Sequence, residues 1–123
     1  MEQKTYTATE MFSISPIDLN NYLIANFRIE VPTTISTKED LEKASKLLSQ
    51  AYAYYSFFTS MKLSAGLQKR ALRVQKENKD EIDKMIDREK IFDAYAGIAR
   101  QAYDTVSRMI TIKQQINQEM KMI

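Results

Sequence analysis

Six cations, Lys62, Lys69, Arg70, Arg73, Lys76 and Lys79, fall within a short stretch that holds a single acid, Glu77. The formal charge of the whole chain is only +2, so positive charge is concentrated there rather than spread. Cations this close repel one another unless an anion compensates them, and a phosphate backbone does so while releasing condensed counterions. On a helix, Lys69, Arg73 and Lys76 stand at i, i+4 and i+7 and line one face, with Arg70 beside them. No glycine-rich phosphate loop accompanies them, so contacts would run to backbone phosphates and depend weakly on base sequence. The competing account is a solvated helix face paired with the acids that follow.

Those acids, Asp80, Glu81, Asp83, Asp87 and Glu89, suggest in principle a seat for a hard cation such as magnesium. Acids in the first turns of a helix more often complement its dipole, and the interleaved Lys84, Arg88 and Lys90 make ordinary i, i+4 pairs. The chain has no histidine and no cysteine, which excludes the usual zinc sites, Ser-His-Asp triads and thiol nucleophiles. Glu39 and Glu42 supply an ExxE like that of the all-helical nucleotide pyrophosphohydrolases, but the next acidic cluster is far along the chain. No catalytic residue, metal or cofactor is therefore expected. The aromatic set Tyr52, Tyr54, Tyr55, Phe57 and Phe58 could stack on unpaired bases. At helical spacing beside leucine and alanine, most of it reads as core.

The elements that hold these residues follow from the pattern. With two glycines and two prolines in 123 residues, the composition favours long helices over a turn-rich β fold. Residues 1–14 show a weak period of two and fit either a short strand or a flexible arm. Ser15-Pro16 opens a short helix through Ile17, Leu19, Leu23 and Phe27, and the alternation of Phe27, Ile29 and Val31 before Pro32 predicts at most a small strand. Ser36-Thr37-Lys38-Glu39 is a capping box for the first long helix, which should run to about Asn78. Gly66 marks a bend or a close approach within it. Asn78-Lys79-Asp80 is the expected turn, with an unbroken rod as the alternative, and a second long helix follows from Glu81.

The fold expected is mainly α: one domain over 1–123, with an N-terminal segment (1–35) and an antiparallel hairpin of two long helices (36–123). The apolar faces are too broad for one partner helix, which points to an oligomeric bundle. Tyr55, Phe58, Met109, Ile112 and Ile116 are the residues assigned to contacts between copies in such a homo-oligomer. No apolar run approaches the ~20 residues of a membrane span, and MEQKTYTATE does not resemble a signal peptide. A cytoplasmic protein without membrane contact is expected.

Near the C-terminus, Asp104-Thr-Val-Ser107-Arg108-Met-Ile-Thr-Ile112-Lys113, followed by Ile116, resembles the SR-x3-IK pattern of the UvsY-like recombination mediators of tailed bacteriophages. Over residues 36–123 the order of a tyrosine-bearing helix, a basic portion, a turn and a second helix is similar too. Lys69-Arg70-Ala71-Leu72-Arg73 matches the family's Lys-Ala-Arg motif only loosely, and the connection between the long helices is shorter. What the resemblance implies is a non-enzymatic ring-forming protein in the host cytoplasm that binds single-stranded DNA. Its implied protein partners are a single-strand-binding protein and a recombinase, which it helps to load. On this reading Lys62, Lys69, Arg70, Arg73, Lys76 and Lys79 carry the nucleic acid, and Arg108 and Lys113 form a second set that the competing account gives to oligomer contacts. The rival expectation is a small helical phage interaction protein, a scaffold or an inhibitor of a host enzyme, whose basic face meets acidic protein.

Overall fold

The computed structural model describes residues 5–121. Four helices follow in order: α1 (Ala8–Met11), α2 (Pro16–Asn26), α3 (Lys38–Val74) and α4 (Lys79–Lys121). The protein is mainly helical, and α3 and α4 pack against each other as a hairpin. Their 37 and 43 residues correspond to rods of about 55 and 65 Å.

Each start is fixed by a side chain that takes an orphan amide. Thr7 and Glu10 close a capping box on α1, and Ser15 Oγ accepts from the Asp18 amide at 3.1 Å with Pro16 in the first turn of α2. For α3 the cap lies one residue later than the Ser36 box of the sequence. Thr37 Oγ1 accepts from the Asp40 amide at 3.1 Å, while Asp40 Oδ2 accepts from the amides of Ser36 and Thr37 at 3.0 and 3.1 Å. The register on Thr37 satisfies three donors, one more than a box of two residues does.

The helix break is real, and it falls earlier than expected. Gln75 ends α3; the Glu77 amide then donates to Leu72 O at 3.0 Å and the Lys76 amide to Arg73 O at 3.2 Å. This is a Schellman closure, with Lys76 in the left-handed position at φ 56°. Asn78, placed in the turn by the sequence, caps α4, its Oδ1 accepting from the Asp80 amide at 3.0 Å.

The small strand expected at Phe27–Val31 does not form, and no strand exists among the described residues. Its alternation survives as alternating burial, Phe27 and Ile29 inward and Arg28 and Glu30 outward, with no second strand to complete a ladder. The strand or arm over 1–14 is replaced by α1 from Ala8; residues 1–4 lie outside those described.

Why α1 and α2 matter is clear from the core. Met11, Leu19 and Leu23 join Phe58, Met61, Ala65, Met85, Phe92 and Ala96 in one buried cluster. The N-terminal segment is thus a third layer over the middle of the hairpin. Phe27 packs its ring at 5.2 Å from Phe58 and 5.1 Å from Tyr54, and Phe12 meets Phe92 at 5.7 Å. Beyond that layer the two rods meet through alanines, Ala44, Ala51, Ala99 and Ala102, small enough for close approach.

Candidate nucleic-acid interface

The hairpin face away from the N-terminal layer carries most of the basic stretch. Over Gly66 on α3 lies an open groove of about 560 Å³, with Leu63 and Leu67 among its apolar walls and Lys62, Lys69, Arg70 and Arg73 around it. A β carbon on Gly66 would lie 3.7 Å from Glu89 Oε1, an ordinary contact, so neither the bend nor the close approach suggested by the sequence requires glycine there.

The cations divide into two kinds. Lys62 Nζ donates to Asp93 Oδ1 at 2.8 Å and Lys69 Nζ to Glu89 Oε2 at 2.6 Å, both reaching from α3 to α4. The hydrogen bond to Asp93, with its charge, holds the Lys62 ammonium above its ordinary pKa. Lys69 and Glu89 are about three-quarters covered, so that pair is screened less than the exposed one. Arg70 and Arg73, by contrast, are exposed and have no ion-pair partner among the described residues. Part of the basic stretch is therefore compensated within the chain, as the competing account expects, and part is left open.

Lys76 and Lys79 do not extend the helical face through Lys69 and Arg73. Termination of α3 at Val74 puts Lys76 in the turn, with left-handed backbone, and Lys79 opens α4. A cation on the first residue of a helix opposes the positive end of the dipole. Asp80 and Glu81 in the same turn offset it.

Arg108 and Lys113 lie on α4 beyond the groove, about 29 and 36 Å along the helix from Glu89. Arg108 is exposed and Lys113 half-buried. The fold brings Lys62, Lys69, Arg70 and Arg73 together and sets these two apart. The acids at the start of α4 do not gather either: among the described residues no three acidic side chains are placed to hold a metal.

Of the residues assigned to contacts between copies, Phe58 is corrected. It is 1% exposed and sits at the centre of the protomer's own aromatic cluster, because α2 and Phe27 supply the cover that the sequence assigned to a neighbouring subunit. Tyr55 and Met109 are half-buried, whereas Ile112 and Ile116 stand open on the last turns of α4.

At the opposite end of the same face, the sequence offered Tyr52 and Tyr55 as stacking candidates but did not join them to Tyr103. Tyr52 is 63% exposed and Tyr103 37%, with ring centroids 6.4 Å apart, and together with Tyr55, Arg100 and Asp104 they form a cleft of about 350 Å³. Leu63, Leu67 and Val74 are also more than half exposed. Their spacing with Arg70, in steps of four, three and four, was the available signal for a second stripe on α3.

Comparison with protein-family models, with curated proteins and with solved structures returns no match. No helix among the described residues is long and apolar enough to cross a membrane.

Proposed function

We propose that this chain is a non-enzymatic accessory factor of phage-type recombination or replication that binds single-stranded DNA along the α3 face and helps to load a recombinase. The observation that carries DNA binding is the pair of exposed guanidiniums, Arg70 and Arg73, beside the apolar groove of Leu63 and Leu67. Guanidiniums suit phosphate by their planar fork, and apolar walls suit the unpaired bases that only a single strand exposes. The recombinase and the single-strand-binding protein enter from the resemblance to UvsY-like mediators, which rests on the C-terminal motif and the hairpin. The protein would work in the cytoplasm, the host's if it is phage-encoded. Self-association is part of the same proposal, with Ile98, Ile112, Ile116 and Met120 exposed along α4 as its apolar surface.

Anisotropy of labelled oligothymidine across a salt series tests this. Two free arginines predict a slope of about −1.4 in log affinity against log salt for each engaged protomer. Arg70→Ala with Arg73→Ala should weaken binding and flatten the slope. Equal affinity of wild type and double variant at the same salt would remove the proposal's support.

One observation favours the second reading, an interaction protein without nucleic-acid binding. Lys62 and Lys69 are already paired internally, and Leu63, Leu67 and Val74 offer apolar surface to an acidic amphipathic partner. Such a protein shows no affinity for oligothymidine in the same titration.

A further inference from the structure

The tyrosine cleft and the basic groove occupy one face of the hairpin, end to end. Tyr52, Thr59, Leu63 and Arg70 fall on a single line of α3, each seven or four residues from the next. On α4 the facing positions run from Glu89 through Asp93 to Arg100 and Tyr103, in the antiparallel register set by Lys62 with Asp93 and Tyr52 with Tyr103. Where the groove approaches the cleft this face carries short side chains: Thr59, which lines the groove, is exposed, and a β carbon built on Gly97 would meet nothing within 4 Å. The two depressions differ in charge. The groove has two guanidiniums without an ion-pair partner among the described residues, while Arg100 and Asp104 give the cleft one charge of each sign beside its tyrosines. A phosphate suits the first, and an uncharged planar base suits the second.

We infer that Tyr52 and Tyr103 form a base-stacking step at the end of a strand whose phosphates lie on Arg70 and Arg73. This rests on the proposed single-strand binding and specifies how that site engages its ligand. From Tyr52 to Arg70 the track is about 27 Å long, enough for roughly four or five nucleotides of extended strand. Tyr52 is available for stacking in a way its neighbours are not. Tyr54 and Phe57 pack on Phe27, and Phe58 is buried.

The test compares labelled oligothymidine with an abasic deoxyribose-phosphate oligomer of equal length, using the full chain. Wild type should bind oligothymidine about tenfold more tightly than the abasic strand. Tyr52→Leu with Tyr103→Leu should erase that preference while leaving abasic affinity, salt slope and mass by light scattering unchanged; Tyr52→Phe should keep it. If wild type binds both oligomers equally, or if the double variant retains its preference or loses both affinities alike, the stacking step is overturned and phosphate binding stands. If wild type binds neither, the single-strand reading and the stacking step fall together.

Discussion

Arg88 donates through Nε and Nη2 to the backbone carbonyl of Ile14, at 3.1 and 2.9 Å, joining two points 74 residues apart. Arg88 is 4% exposed and has no acidic partner within ion-pair distance among the described residues. Burial pushes its pKa down and the charge of Glu81 pushes it back up, and a guanidinium stays charged through such shifts. The contact is a fastening for the N-terminal layer. Hydrogen bonds from a charged donor contribute about 1.5–3 kcal/mol, so Arg88→Ala should lower stability by roughly 3 kcal/mol in urea unfolding. Amide exchange at Leu19 and Leu23 should speed up more than at Ala99 and Val106. A uniform acceleration would show that the layer is not held this way.

Lys76 occupies a backbone conformation that costs an L-residue about 1 kcal/mol and costs glycine nothing comparable. Lys76→Gly should therefore raise stability, by up to about 1 kcal/mol and a melting temperature shift of a few degrees. Affinity for oligothymidine should change little at fixed salt, because Lys76 lies in the turn, off the face of Arg70 and Arg73. Loss of stability in this variant would contradict the Schellman closure.

How much of this was legible depends on distance along the chain. Pro16, the threonine and serine caps and the broad apolar stripes are local signals, and they place the helices within a few residues. The cap shift from Ser36 to Thr37 was hidden because Ser-Thr-Lys-Glu-Asp offers a box in either register. Phe58 illustrates the harder failure. Periodicity shows that its face is apolar but not what covers it, and the cover comes from Leu19, Leu23 and Phe27, more than thirty residues earlier. The basic stretch was legible as charge. That Lys62 and Lys69 are answered by Asp93 and Glu89 while Arg70 and Arg73 are not follows from the register between α3 and α4, which one helix pattern cannot give.

Stability should fall at both ends of the pH scale for identifiable reasons. Backbone hydrogen bonds from Ser36 and Thr37 hold the Asp40 carboxyl below its usual range. The folded state therefore binds this proton less readily than the unfolded chain, whose carboxyl titrates near about 3.9. The stabilisation is present above that pH and is lost as pH falls through the lower folded value. Burial raises the Tyr95 hydroxyl, which donates to Asn20 Oδ1 at 3.3 Å. Its stabilisation is complete below about pH 10 and is lost as pH rises through the raised folded value. Unfolding free energy measured against pH should show a shallower acid limb for Asp40→Asn and a shallower alkaline limb for Tyr95→Phe. Unchanged limbs would assign both losses to other groups.

The cross-helix pairs make the last prediction, because an acid that holds a lysine competes with any phosphate for it. Glu89 and Asp93 each occupy one ammonium beside the groove, at 2.6 and 2.8 Å. Glu89→Gln with Asp93→Asn keeps the shapes and removes two negative charges, leaving Lys62 and Lys69 able to turn toward the strand that Arg70 and Arg73 are proposed to hold. Two more phosphates engaged should steepen the salt slope from about −1.4 to about −2.8 per protomer. Affinity for oligothymidine should rise most at low salt. The stability cost should be small for the exposed Lys62 pair and greater for the more covered Lys69 pair. If this variant binds no more tightly than wild type and its slope is unchanged, the lysines are committed to the hairpin. The DNA track would then be confined to the two arginines.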